Sequence, residues 1–132
     1  ERYVKHMRTL LKPGGKLVIL TPNTASFGHK HFGSAWLNLD PPRHLILFNQ
    51  QTLRSAAEQQ GFIVERLDTT VRSAWVYGTL SRLIRQTGRG EMSALGQPAC
   101  LIHGILFQLR ERVLKWFNSN AGDELLLMAT KR

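Results

Sequence analysis

The residues best suited to chemistry lie in NLDPPRHLILF, residues 38 to 48, where an arginine and a histidine precede an apolar run. Histidine titrates near neutral pH and can accept a proton from a hydroxyl, so His44 is a candidate general base. Arg43 could hold a carboxylate or phosphate through paired N–H donors. Pro41 and Pro42 fix φ at successive positions and push Asp40 toward extended angles, which would deliver the pair in a defined direction. A structural alternative stands beside this reading. His44 bonds a backbone carbonyl and Arg43 pairs with Asp40 to lock the loop.

Phe32 and Trp36 could wall a pocket beside that stretch, or pack beneath a long loop. His29, His31 and His44 raise a metal hypothesis, because HKH can chelate from an extended segment. No cysteine or carboxylate cluster completes a tetrahedral set, so no metal is expected. Cys100 is the lone cysteine and sits in the apolar PACLI, which suits a buried structural thiol better than a nucleophile. With no disulfide framework, a reducing, cytoplasmic setting is the expectation.

The positioning elements can be read from hydrophobic period and punctuation. ERYVKHMRTLL carries Tyr3, Val4, Met7, Leu10 and Leu11 at helical spacing, and KPGG ends that helix. KLVIL is a short apolar run bounded by turn residues, which predicts a buried strand ending at Thr21-Pro22-Asn23. Residues 24–49 show no clean period and read as a long aromatic-rich loop. A helix starting at Asn49 and capped by Gly61 follows, then a strand with Phe62, Val64 and Leu67 near one face. Helices are expected over about 73–86 and 99–117, the second with Ile102, Leu106, Leu109, Val113 and Trp116 as its packing stripe. Arg110, Arg112 and Lys115 beside that stripe also allow a membrane-surface role. DELLLMATKR reads as a final strand.

This order is α/β, within one domain over residues 1–132. With only three visible strands, two of them of interior type, the sheet looks incomplete. The chain has 18 Lys and Arg against 9 Asp and Glu, a net charge of +9 that favours anionic partners. The basic residues are spread without a run of three, so nucleic acid is not the expected partner. No stretch approaches the roughly 20 apolar residues of a membrane span.

LLKPGGKLVILTPN resembles the segment of class I S-adenosylmethionine-dependent methyltransferases that ends the fourth major helix and forms the fifth strand. WLNLDPPRHLILF followed by a helix ending QQGF resembles small-molecule methyltransferases akin to the ubiquinone-biosynthesis type, and GDELLLMATK resembles the family's terminal antiparallel strand. The resemblance implies a Rossmann-like sheet, of which this chain supplies the last three strands, the final one antiparallel between the other two. It implies S-adenosylmethionine as cofactor and a small-molecule acceptor, with methyl transfer at oxygen. Residues 24–49 become a substrate-side loop and 73–120 a helical insertion.

Ligands of open α/β sheets bind beyond the carboxyl ends of the strands. Asn23 sits at such an end and becomes a substrate-side candidate, or a residue that merely satisfies turn backbone. Trp36, Arg43 and Tyr77 join it as candidate substrate contacts. The family's glycine-rich turn after the first strand has no counterpart here, since GRGEMSALG follows a helix and has the wrong spacing. About 100 residues of upstream strand–helix units are therefore expected elsewhere, and the chain alone is expected to be inactive. The alternative is a non-catalytic basic module for an anionic partner such as nucleic acid. A homodimer through the sheet edge or the helix 99–117 is a further route of association.

Overall fold

The computed structural model describes residues 2–40 and 42–132. The stiffening expected of the Pro41–Pro42 pair falls partly on residue 41, which lies outside the described residues. The elements run α1 (Arg2–Leu10), β1 (Lys16–Pro22), α2 (Phe27–Phe32), two short 3-10 turns, α3 (Gln50–Gln59) and β2 (Phe62–Thr70). They continue through α4 (Ala74–Thr87), a 3-10 turn at Met92–Gly96, α5 (Pro98–Phe117) and β3 (Glu124–Lys131).

The sheet order is β1-β3-β2, with β3 antiparallel to both neighbours. The expected central, antiparallel final strand is present. The uneven spacing of Phe62, Val64 and Leu67 has a local cause: a register shift between Val64 and Arg66 leaves an extra residue in β2, so two-residue alternation breaks there. Glu65, at that shift, pairs with Lys16 across β3.

Punctuation works as expected at several ends. Asn49 Oδ1 accepts the Thr52 N–H at 2.9 Å and Thr52 Oγ1 accepts the Asn49 N–H at 3.0 Å, a reciprocal cap on α3. Gly61, at φ 77°, turns the chain out of α3 into β2. Lys131 secures the other end of the sheet. Its ammonium donates to the carbonyls of Leu11 (2.6 Å) and Arg8 (2.8 Å), satisfying the last turn of α1.

One sheet face carries the main core. Leu125, Leu127 and Ala129 of β3 pack with Leu17, Phe62, Val4 of α1, and Leu53 and Ala57 of α3. The opposite face holds Val18 (59% exposed), Leu20, Ile63 and Met128, which no described element covers. Among the described residues β1 also has no partner on its outer edge. A second apolar cluster, Phe32, Trp36, Ala74 and Phe107, joins α2, α4 and α5.

Two sequence expectations are corrected. Residues 24–49 are not an irregular loop throughout, because Ser26 caps the short α2 through the His29 N–H (3.0 Å). The stripe Ile102, Leu106, Leu109, Val113 and Trp116 is not the packing face of α5 and is exposed along its length. The face that packs is Gly104, Phe107 and Glu111. A Cβ at Gly104 would lie 2.8 Å from the Trp75 carbonyl oxygen, so the missing side chain lets α5 approach α4 closely. Gly104, together with Gly78 of α4 against Phe107, thus decides which way α5 faces.

Truncating Leu125 to Ala should cost about 2–5 kcal/mol, as expected for a cavity at a fully buried site. Val18→Ala, on the uncovered face, should stay within about 1 kcal/mol in the same urea titrations. Equal costs at the two sites would contradict this assignment of faces.

Candidate functional site

The carboxyl end of β1 is where the chain's segments converge. Asn23 is fully buried there. Its Nδ2 donates to the carbonyls of Asn120 (2.9 Å) and Gly122 (2.8 Å), and its Oδ1 accepts the Ala25 N–H (3.0 Å). Its backbone N–H donates to the Asp123 carbonyl at 2.9 Å. The Thr24 N–H then donates to the Phe48 carbonyl at 2.9 Å, which draws the 43–48 segment to the same place.

Arg43 and His44 sit at the mouth of this junction. Asp40 is not extended as the following prolines led one to expect: it adopts φ 26°, because its carbonyl accepts the N–H groups of Arg43 (2.8 Å) and His44 (3.3 Å) in a tight turn. Arg43 Nε lies 3.2 Å from Asp40 Oδ2, with 79% of its side chain exposed. An ion pair that open to water is weak, so the guanidinium can be drawn off by another anion. His44 Nδ1 lies 2.9 Å from the Asn38 carbonyl oxygen. A carbonyl only accepts, so Nδ1 is the ring nitrogen that donates in this contact, and Nε2 is left for other partners. The contacts of the structural alternative are therefore present, and the histidine contact fixes the direction of the ring. Tyr3, Met7, Ile19, Arg43, His44 and Phe48 line a cavity of about 220 Å³ between α1, β1 and this segment. A larger cleft of about 440 Å³ beside Asn49, Arg54 and Asn120 holds none of the expected site residues.

Trp36 and Tyr77 lie elsewhere. Trp36 is 2% exposed and packs in the helical cluster against His29, with ring centroids 4.8 Å apart. Tyr77 OH donates to Glu124 Oε1 at 2.7 Å. Burial, then the Glu124 carboxylate, raises the phenol above its ordinary range and keeps it protonated. Arg43 and His44 thus share the cavity, while Asn23, Trp36 and Tyr77 lie outside its lining and close to a buried acidic group. His29 is turned to the Thr24 carbonyl (Nδ1, 2.7 Å) and His31 stacks on Phe27. Among the described residues no group of three His, Cys, Asp or Glu side chains is placed to hold a metal ion. Cys100 is half-buried and unpaired in a disulfide.

The acidic group is the feature that sequence reading missed. Glu111 and Asp123 are 0% and 1% exposed, and Glu124 adjoins them. Ser26, the Gly28 N–H and Trp36 lie against the two carboxyls, yet none of their four oxygens has a partner of good hydrogen-bond geometry. A Cβ on Gly28 would run into the Asp123 carboxyl, so the missing side chain lets that carboxyl lie directly on the backbone of α2. Burial raises both carboxyls above their ordinary range; a charged Asp123 raises Glu111 further, and Glu124 does the same to Asp123. One proton held between them relieves the repulsion, with Glu111 the acid that keeps it. The available signal was a lone glutamate in step with Gly104 and Phe107 on an otherwise apolar and basic helix.

The sequence chemistry of the family calls for S-adenosylmethionine, and the described residues do not form a cradle for it. The positive-φ glycines, Gly14, Gly33, Gly61 and Gly88, follow helices or precede strands. None follows the carboxyl end of a parallel strand, where a glycine turn would bring backbone N–H groups to a ligand.

The buried pair fixes a pH dependence. The unfolded chain releases the Glu111 proton near the ordinary 4.5, whereas the folded chain holds it to higher pH. The native state then binds more protons, so stability falls as pH rises from about 5 through neutral, by at most about 1.4 kcal/mol per pH unit per proton. Glu111→Gln should flatten that slope in urea unfolding measured across the range. A variant with the unchanged slope would show that the pair does not hold the proton.

A family model of the methyltransferase domain matches residues 1–67, from α1 into β2. A search of curated proteins finds no match. Two solved structures of phosphoethanolamine N-methyltransferase 2 from Haemonchus contortus are similar. One is a selenomethionine form with S-adenosyl-L-methionine, 18% identical over 97% of this chain with a TM-score of 0.45. The other holds phosphomonomethylethanolamine and S-adenosylhomocysteine, at 19% identity, 97% coverage and the same TM-score of 0.45. The chain spans 29% of the length of either protein. With half of its residues matched in sequence order, the chain belongs to the methyltransferase-domain family.

Proposed function

We propose that the chain is the substrate-side part of an S-adenosylmethionine-dependent methyltransferase acting on a small molecule at oxygen, of the type akin to ubiquinone-biosynthesis enzymes. In this reading residues 24–49 form the substrate loop and 73–120 a helical insertion within the single partial domain 1–132. The observation that carries it is His44, whose Nδ1 is anchored on the Asn38 carbonyl at 2.9 Å while the ring lines a cavity beside the family-matched strand.

His44 Nε2 takes the proton of the acceptor hydroxyl as that oxygen becomes the nucleophile. Arg43 exchanges Asp40 for an anionic group of the acceptor and so orients it. Asn23, Trp36 and Tyr77 serve from behind by holding the loop's floor in place, since two of them are buried and the third is committed to Glu124. The methyl donor is bound by upstream strands beside the open edge of β1. The 132-residue chain alone transfers no methyl group.

His44→Ala in the longer protein should lower kcat by about 10²–10⁴-fold while leaving S-adenosylhomocysteine affinity within about twofold. Unchanged turnover would remove His44 from the reaction. The isolated chain, titrated calorimetrically with S-adenosylhomocysteine, should give no binding heat. Tight binding would overturn the proposed division of the two sites.

A further inference from the structure

Among the described residues no element covers the apolar side of α5. Ile102, Ile105, Leu106, Leu109, Val113 and Trp116 are all about half exposed or more, with Trp116 at 89%. At 3.6 residues per turn these six fall within an arc of about 100°, along a helix about 30 Å long. No charged residue interrupts the arc. Arg110 borders it on one side and Arg112 on the other, each about 80° from its centre by the same helical geometry. Phe117 extends the aromatic end and is 85% exposed.

Charge identifies what this surface suits. Residues 74–117 contain six basic side chains, Arg82, Arg85, Arg89, Arg110, Arg112 and Lys115, against two acids, Glu91 and Glu111. Glu111 is buried on the far side of the helix. Two antiparallel copies stacked stripe to stripe about Leu109 would bring Arg110 within about a turn of its duplicate and Arg112 within about two turns of its own, an arrangement that like charges oppose. An anionic lipid surface meets both requirements. Its acyl boundary accepts the apolar arc, its headgroups accept bordering arginines, and exposed Trp and Phe favour that interface. No described helix is long and apolar enough to cross a membrane, so the helix would lie along the surface.

We propose that α5 docks the protein on an anionic lipid surface through the Ile102–Trp116 stripe, with Arg110 and Arg112 at the headgroups. This inference is independent of the methyl-transfer reading. The test is cosedimentation with vesicles of phosphatidylcholine containing about one third phosphatidylglycerol, compared with phosphatidylcholine alone. The protein should bind the anionic vesicles at least tenfold more tightly, with a blue shift in tryptophan emission. Leu106→Glu combined with Leu109→Glu should weaken binding more than tenfold with far-UV circular dichroism unchanged, because both sites are exposed. Arg112→Gln should weaken it severalfold.

Absence of cosedimentation by the wild-type protein would overturn the proposal. Binding unaffected by the double substitution would overturn it as well, since contact would then lie elsewhere. A wild-type dimer that the double substitution converts to monomer, without lipid binding by either, would instead make the stripe a protein interface.

Discussion

The structure depends on the anchorage of Asn23. One buried amide satisfies two carbonyls and one N–H from segments about 100 residues apart in sequence. Replacing it with an apolar group would leave those three backbone groups without their protein partner, a cost borne by every segment that meets there. The strand end, the α2 turn and the approach to β3 are fixed relative to one another because their polar groups are spent on this one side chain. The cavity with His44 inherits its position from that knot through the Thr24–Phe48 hydrogen bond.

The two halves of the molecule divide the work. The sheet with α1 and α3 is an apolar core of ordinary kind, closed at its far end by Lys131. The α2, α4 and α5 cluster is built differently, with glycines allowing close backbone approach and a carboxyl pair buried where a leucine would be unremarkable. A protonated carboxyl pair is a conditional contact, present while one proton is held and repulsive once both acids ionise. The helical half is thus tied to the sheet by an interaction that rising pH loosens, while the sheet's core is indifferent to pH.

Much of the fold was legible because local rules and tertiary need agree. Asn49, Gly61 and the KPGG turn mark their boundaries by backbone requirements that few other residues meet. The strands announce themselves by apolar runs, and the slip from Val64 to Leu67 encodes a bulge for anyone counting strictly by twos. Legibility failed where two periodicities compete. Helix α5 carries a bold apolar stripe and a fainter one of Gly104, Phe107 and Glu111, and the faint one packs because only there can a backbone come close. His44 and Arg43 were identifiable by type and setting. The buried pair was not, since its members come from distant elements and an acid in sequence says nothing of its depth.

The placement of β3 between β1 and β2 has a consequence for how the chain comes into being. Neither β1 nor β2 hydrogen-bonds the other, and each finds its partner only in Glu124–Lys131. During vectorial synthesis the first two strands are made before their described mate, and they wait through some 50 largely helical residues after β2 before it arrives. Sheet formation is therefore a late and sequence-distant event, of the kind that slows folding. The helices that form early, α1 and α3, shield only one side of those waiting strands. The nascent chain's exposure to wrong partners is written into the order of its strands.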